Sequence, residues 1–322
     1  MNAFIRCVIA LCVMALSAAS AVADDKFPSK PLKLVVPLAA GGGNDAVARI
    51  LAESMAKHLG QAVIVENRTG AGGNVGTDFV AKSPADGYTL IHVSNSVVVN
   101  PYLYKKLPFD IQKDLMSVGL IATTPMFILA HPSSSVTNLR ELIDQMKSES
   151  SKLSYATPGN GTPHHFAMEL LKTRAGANLA HVPYRGAAPA VTDVVGGQVP
   201  ILVSTSQSVA DFVATGRLKM LATMDPIRVD KFKDTPAVAE VVPGFGVSIW
   251  HGLMVPAKTP PAALSALTDA LSKTLQDPEI QRKLMGIGFS AKFEPPSAMQ
   301  TRIAAELETW RTVAKSAGIT PE

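Results

Sequence analysis

Short runs rich in valine and isoleucine alternate with segments of helical period along this 322-residue chain. The run LKLVVPL at residues 32–38 precedes NDAVARILAESMAKHLG, in which Val47, Leu51 and Met55 share one helical face. Gly60 favours an end to that helix. Such a β-α-β succession predicts parallel strands with helices on both faces of a sheet.

The alternation restarts after Pro125, and no low-complexity linker separates the two parts. Two α/β units joined in this way predict two lobes that exchange strands, followed by a helical C-terminal segment. Beyond the first run, the strand-like runs are residues 62–67, 88–94, 126–132, 153–158, 179–184, 198–204, 218–224 and 249–256.

Residues 1–23 have the features of a secretory signal peptide. Arg6 precedes a short apolar run, and Ala21, Val22 and Ala23 form an A-x-A cleavage pattern. The run is too short for a lasting membrane anchor. We expect cleavage after Ala23 and a periplasmic location; cleavage would also remove both cysteines, so the mature chain would have no disulfide.

Charge and motifs exclude several functional classes. The net charge is +4, only 17% of residues are charged, and no basic stripe indicates a nucleic-acid partner. The chain has no G-x-x-x-x-G-K-[ST], H-E-x-x-H or G-x-S-x-G motif, and GAGGNVG misses the dinucleotide spacing. His164 and His165 are adjacent on a predicted helix and point in different directions, so they do not chelate a metal together. We expect no metal, no cofactor and no enzymatic activity.

Two loops that follow strands have the composition of anion-binding helix starts. In LAAGGGNDA, three glycines allow close backbone approach, Asn44 or Asp45 could cap the next helix, and free N–H groups could bind an anion. A tight turn without a ligand is the alternative. In TPGNGTPHH (residues 157–165), Thr162 is a good N-cap before Pro163. The N–H groups from Gly159 to Gly161 and the Thr162 hydroxyl are its predicted donors, which favours a carboxylate.

Several segments together resemble the solute receptors of tripartite tricarboxylate transporters, the Bug family. They include FPSKPLKLVVPLAAGGGNDAVARILA, VIVENRTGAGGNVGTDFVAKSPADGYTL, YATPGNGTPHH and HVPYRGAAPAVTDVVGGQV. The resemblance implies an α/β, two-lobed type II periplasmic binding protein, each lobe a mainly parallel sheet flanked by helices. On that fold we expect residues 24–125 and 249–322 to form one lobe and residues 126–248 the other.

The same resemblance implies capture of a small organic carboxylate by a monomer and its delivery to the permease subunits of the transporter. An input protein for a membrane signalling kinase and, less favoured, an extracytoplasmic enzyme on the same fold are the alternatives. The family's two ligand loops, which hold a carboxylate partly through ordered water, correspond to Ala39, Ala40, Gly41, Gly42, Gly43, Asn44 and Asp45, and to Thr157, Gly159, Asn160, Gly161, Thr162 and His164.

Three departures from the family pattern bear on the ligand. Ala39 and Ala40 replace a proline pair, Ser204 stands where many relatives have an acid, and His251 replaces a tyrosine after Trp250. Without that acid the site has no partner for an ammonium group, which disfavours amino acids.

The remaining candidates concern the far end of the ligand. Trp250 could wall an aromatic ring, and His251 and Arg185 could meet a second anionic group. An aromatic dicarboxylate such as terephthalate is therefore the sharpest hypothesis. The alternative is that Trp250 and His251 pack in the hinge around a citrate-like acid, with Arg185 in solvent. The serines and asparagine after a strand could contact the ligand or cap a turn: Ser94, Asn95 and Ser96.

Overall fold

Two β-sheets, one in each lobe, form the framework of the protein, whose computed structural model describes residues 27–148, 150 and 152–321. The first sheet, in the order β11-β4-β10-β3-β1-β2, contains β1 (Leu32–Val36), β2 (Val63–Asn67), β3 (Thr89–Ser94), β4 (Leu115–Thr124), β10 (Ile249–Pro256) and β11 (Ser290–Glu294). The second, in the order β7-β6-β8-β5-β9, contains β5 (Met126–Ala130), β6 (Ser154–Thr157), β7 (Ala180–Pro183), β8 (Ile201–Thr205) and β9 (Lys219–Thr223).

Helices connect and cover these strands, which confirms the predicted two-lobed α/β fold. The first helix ends before Gly60, which has a φ of +68°, as the sequence predicted. The α-helices are α1 (Gly43–Leu59), α2 (Asn74–Ala81), α3 (Ser96–Val99), α4 (Leu139–Lys147), α5 (Pro163–Ala175), α6 (Ala187–Val195), α7 (Ser206–Ala214), α8 (Pro261–Gln276), α9 (Pro278–Gly286) and α10 (Pro296–Ser316). Among the described residues, none of the helices combines the length and apolar character needed to cross a bilayer.

Both sheets are mixed, which corrects the expectation of mainly parallel sheets. β1 pairs in parallel with β2 and β3, because helical crossovers connect these strands. β10 instead returns from the second lobe, enters between β3 and β4 and runs antiparallel to both. In the second lobe β5 is likewise antiparallel to β8 and β9. Strand direction at these positions depends on where the chain crosses between lobes, which local periodicity does not encode.

Two strands were missed by the sequence analysis. In β4, Ser117 and Gly119 interrupt the apolar pattern, although most of the strand is buried. The edge strand β11 is short, contains Lys292 and Glu294 and is half exposed, so it has no apolar run to detect. The exact lobe bounds given above stay a prediction, and the predicted signal peptide, residues 1–23, lies outside the described residues.

The junction where the chain passes from one lobe to the other is stabilised by hydrogen bonds of Asp225 and by the C-terminal helix. The carboxylate of Asp225 accepts hydrogen bonds from the Met126 N–H (3.3 Å) and from the hydroxyls of Thr223 (3.0 Å) and Ser248 (2.6 Å). These three residues belong to the segments that lead into β5, out of β9 and into β10. The C-terminal helix α10 packs against both β4 of the first sheet and α5 of the second lobe. The ends of β1 and β6, where the predicted ligand loops lie, are therefore carried by lobes with a shared core.

Candidate functional site

The first predicted loop offers main-chain donors at the start of α1. Gly42 is the N-cap, with extended backbone and no side-chain cap bond, so neither Asn44 nor Asp45 caps the helix as predicted. The first helical hydrogen bond runs from the Ala46 N–H to the Gly42 carbonyl at 3.0 Å. The N–H groups of Gly43 and Asn44 precede it and belong to the unsatisfied helix end that attracts anions. Ala39, Ala40 and the glycines of this loop are exposed: Gly41, Gly42 and Gly43.

Asp45 stabilises the first loop through hydrogen bonds to its side chain. Its buried carboxylate accepts hydrogen bonds from the Gly41 N–H (3.0 Å), Arg49 Nε (2.9 Å) and Asn67 Nδ2 (3.0 Å). The bond from Arg49, followed by the one from Gly41, lowers the pKa of Asp45 to about 2. Because the carboxylate is ionised and accepts these hydrogen bonds within the protein, Asp45 shapes the loop.

The second predicted loop joins β6 to α5, and its helix cap is confirmed. Thr162 has extended backbone, and its Oγ1 accepts the His165 N–H at 3.4 Å. Two of the predicted donors are nevertheless engaged within the loop. The Thr162 hydroxyl donates to the Gly159 carbonyl at 2.8 Å, and the Gly161 N–H donates to His165 Nδ1 at 3.2 Å. Since a threonine hydroxyl has one proton, Thr162 has no second donor for a carboxylate in this conformation.

Two N–H groups of this loop, that of Asn160 within the predicted range and that of His164 in the first turn of α5, are not engaged in this way. Among the residues that the structure describes, the main-chain N–H groups of Asn160 and His164 have no hydrogen-bond partner. The Gly159 carbonyl points towards Thr162, so the trans peptide directs the Asn160 N–H to the opposite side. His164 lies in the first turn of α5, where the helix dipole favours an anion. These two amides are therefore the groups that this conformation of the second loop leaves free to donate.

The serines after β3 lie beside the first loop. The hydroxyls of Ser94 and Ser96 are 3.0 Å apart. Asn95 is buried, and its side-chain amide donates to the Ser248 carbonyl at 3.3 Å, so its role is at least partly structural. A cavity of about 20 Å³, the size of roughly one water molecule, brings predicted and unpredicted residues together; its polar lining includes Asn44, Gly72, Gly73, Thr77, Ser94, Ser96 and Asn100.

The glycine loop that lines this cavity was not among the predicted site residues. It follows β2, as the other two loops follow β1 and β6, and leads into α2. Gly72 and Gly73 have positive φ values of 63° and 96°, and Asn100 donates to the Gly72 carbonyl at 3.2 Å. The sequence signal was available, because a glycine cluster again stands between a strand and a helix.

Among the predicted polar residues of the second lobe, Arg185 is exposed, whereas Thr157 and Ser204 are buried. Arg185 is exposed in the turn after β7, next to the second loop, because the Tyr184 N–H donates to the Thr157 carbonyl at 3.1 Å. Thr157 is buried, and its hydroxyl lies 2.7 Å from His181 Nε2. Ser204 is buried on β8, and among the described residues its hydroxyl has no hydrogen-bond partner.

Trp250 and His251 are buried, and Trp250 lies in a core cluster that also contains Phe166 of the second lobe. Their burial contradicts the cleft contacts predicted for them and favours the alternative, in which they pack in the hinge. The Trp250 Nε1–H donates to both carboxylate oxygens of Glu306 on α10 at 2.9 Å. The His251 ring lies 5.4 Å from that of His92 and 4.8 Å from that of Phe289. Burial holds the pKa of His251 well below its usual range, so it is neutral at pH 7. Trp250 is not a cleft wall, and His251 is not a cationic partner for a second anion.

Acidification from pH 7 to pH 5 should destabilise the protein, because His92 is buried and neutral. Burial lowers its pKa to about 4 from an unfolded value near 6.5, so the unfolded chain binds the proton more readily. The stabilisation is present above about pH 6.5 and is lost as the pH falls, at about 2 kcal/mol by pH 5. Urea unfolding at both pH values measures this loss. His92→Gln should reduce the loss, whereas the exposed control His58→Gln should not; equal losses in all three proteins would contradict the assignment.

Comparisons with known proteins agree with this architecture. A family model described as the tripartite tricarboxylate transporter family receptor matches residues 47–319. Protein BugT of Bordetella pertussis is 32% identical over 314 residues, which cover 97% of this chain and 96% of BugT. A Bordetella bronchiseptica protein of the UPF0065 group is 36% identical over 277 residues, covering 86% of this chain and 82% of the relative.

Solved structures of similar proteins have the same architecture as this chain. The periplasmic binding protein BugD is 34% identical, with a TM-score of 0.73 over 92% of this chain and 100% of BugD. An R. palustris protein solved with adipate is 31% identical, with a TM-score of 0.76 over 92% of this chain and 100% of its own. MatC of Rhodopseudomonas palustris, solved with malate, is 29% identical, with a TM-score of 0.72 over 89% of this chain and 100% of MatC.

Proposed function

The chain belongs to the family of tripartite tricarboxylate transporter receptors, and from this premise we propose that it is a periplasmic receptor for a small organic carboxylate without an amino group. Its two lobes hold the ligand between them for delivery to a membrane permease. We further propose that it acts as a monomer after export and cleavage behind Ala23.

The observation that carries this proposal is the pair of helix starts whose main-chain N–H groups have no partner among the described residues. Gly43 and Asn44 provide them after β1, and Asn160 and His164 provide them after β6. Each set lies at the positive end of a helix dipole, in a loop with few side-chain charges of its own. Asp45 is the acid in these loops, and its charge is neutralised by Arg49. Such a pair suits a carboxylate, which accepts several N–H bonds at once.

The absence of an amino group on the ligand follows from the charges near the loops. A desolvated ammonium group needs a carboxylate partner, but Ser204 supplies only a hydroxyl, and the Asp45 carboxylate is already engaged. The adipate and malate found in the two similar structures are dicarboxylates without an amino group. The proposal of an aromatic dicarboxylate such as terephthalate loses its main argument, because Trp250 is buried. We therefore favour an aliphatic acid, with exposed Arg185 as the candidate partner of a second carboxylate.

A thermal-shift panel tests the proposal with adipate, malate, citrate, terephthalate, aspartate and glutamate, and with adipamide as an uncharged control. A ligand at 100 times its dissociation constant adds about 2.7 kcal/mol to the free energy of unfolding. We expect stabilisation by at least one acid without an amino group, none by adipamide, and recovery of the acid unchanged after incubation. Stabilisation by aspartate or glutamate alone would overturn the ligand class, and chemical conversion of the acid would indicate an enzyme.

A further inference from the structure

A buried histidine stands directly behind the second ligand loop. His165, in the first turn of α5, is 9% exposed, and its Nδ1 lies 3.2 Å from the Gly161 main-chain nitrogen, whose N–H it accepts. The proposed binding of a carboxylate uses the neighbouring Asn160 N–H and assigns no part to the imidazole. The contact nevertheless fixes the orientation of the peptide between Asn160 and Gly161.

The hydrogen bond from Gly161 specifies the tautomer of His165. Nδ1 can accept the N–H only through its lone pair, so the ring proton of the neutral imidazole lies on Nε2. Nε2 in turn faces Glu169, with 3.6 Å between Nε2 and the carboxylate Oε1. Protonation of the ring would add a proton on Nδ1, opposite the Gly161 N–H, and would place two donors against each other at this distance.

The groups around His165 come from three elements. On its own helix, Glu169 accepts hydrogen bonds from Lys172 Nζ (2.8 Å) and from the hydroxyl of Tyr155 on β6 (2.9 Å). On β7, the ring of His181 stacks on that of His165 at 4.2 Å between centroids. Burial and the positive charge of Lys172 oppose a charge on the imidazole, whereas Glu169 favours it; the result is a lowered pKa for His165.

His181 extends the contact to the start of the loop. Its Nε2 lies 2.7 Å from the hydroxyl of Thr157, which also accepts the Gly159 N–H at 3.2 Å. Burial is the main cause that lowers the pKa of His181 to about 3, so the stacked pair is neutral at pH 7. Two neutral imidazoles thus contact the loop near both of its ends.

We propose that His165 is a positioning residue for the carboxylate site: its neutral ring fixes the Gly161 amide so that the Asn160 N–H remains available to the ligand, and its protonation releases the loop and weakens binding. This proposal rests on the proposed function, because it assumes that the second loop contacts a carboxylate. An anionic ligand attracts a positive charge and would favour protonation. The donor conflict at Gly161 is in direct contact with the ring, whereas the ligand is proposed to bind the neighbouring Asn160 N–H, so we expect the conflict to dominate.

Two variants separate positioning from simple packing. His165→Asn retains an acceptor oxygen close to the position of Nδ1 and does not titrate, whereas His165→Leu fills similar space without an acceptor. With adipate and malate as probes at pH 7, we expect about tenfold weaker binding for His165→Leu and recovery to within about threefold for His165→Asn. Equal losses in both variants, with both proteins folded by circular dichroism, would overturn the positioning role.

The pH profile supplies a second readout. For each probe, the association constant of the wild type is divided by that of His165→Asn at the same pH. This wild-type ratio cancels the effect of protonation of the probe itself. Between about pH 7 and pH 4.5 we expect the wild-type ratio to fall by about threefold or more, because the proton binds the ring in the released loop. A constant or rising ratio would contradict the coupling to pH.

A ligand-free measurement distinguishes failure of this proposal from failure of the proposed function. Long-range ¹H–¹⁵N correlation spectra of the unliganded protein report which imidazole nitrogen carries the proton. We expect the proton of His165 on Nε2, and a Gly161 amide resonance that shifts with the same midpoint as the His165 ring. A proton on Nδ1 at pH 7, or a Gly161 amide that does not follow the ring, overturns the inference. If these spectra agree and no acid of the thermal-shift panel stabilises the protein, the carboxylate function is wrong while the loop contact stands.

Discussion

Gly161→Val should weaken carboxylate binding by about 100-fold or more, which corresponds to about 2.7 kcal/mol. Gly161 has a φ of +71°, a backbone conformation that β-branched residues resist. A Cβ atom at this position would also lie 2.6 Å from the side chain of Leu103, which follows β3 in the other lobe. The substitution therefore distorts the loop that carries the Asn160 N–H and disturbs the contact between lobes. Calorimetric titration with the acid that stabilises the wild type measures the loss.

Two controls separate these causes. Gly176→Ala changes a glycine with a similar φ of +59° at the end of α5, where an added Cβ meets nothing within 4 Å. It should cost about 1 kcal/mol of stability and leave the affinity unchanged. Leu103→Ala combined with Gly161→Val removes the steric conflict but not the backbone strain, so it should recover only part of the affinity. Wild-type affinity in Gly161→Val would remove this loop from the site.

Trp250→Ala should lower the free energy of unfolding by about 3–5 kcal/mol while the remaining folded protein binds carboxylate with unchanged affinity. The fully buried indole belongs to the core cluster that also contains Phe166 and Trp310. It also donates to Glu306, a carboxylate whose pKa is raised by burial. Removal leaves a cavity and takes away the main hydrogen-bond donor of a buried acid. Urea unfolding and titration with the same acid give the two quantities.

Matched variants locate the origin of this loss. Trp250→Phe keeps most of the apolar volume and should cost about 1–3 kcal/mol through the unsatisfied acid. Trp310→Phe is a control for the hydrogen bond, since Trp310 Nε1 reaches Glu306 only at 3.4 Å and should matter less to the acid. A tenfold loss of affinity in Trp250→Phe with little loss of stability would restore Trp250 as a ligand contact.

The sequence predicted local structure well where a periodic pattern was strong. It placed nine of the strands to within a few residues, the N-cap at Thr162 and the helix end at Gly60. These features depend on residues close together in the chain, such as the hydroxyl of Thr162 and the N–H three residues later. β4 and β11 were missed because glycine, serine and charged residues interrupt their apolar pattern.

The sequence by itself determined the family and the two-lobed fold and predicted the position of the ligand loops, since these depend on strings of neighbouring residues. Only the tertiary structure decided which donors remain for a ligand. Thr162 and Gly161 give their protons to partners within the folded loop, so Asn160 and His164 are left. Tertiary packing also buries Trp250 against Glu306 on α10. This partner lies 56 residues later in the chain, so the sequence around Trp250 did not indicate it. The availability of a polar group depends on every group that surrounds it after folding, and most of those groups are distant in the sequence.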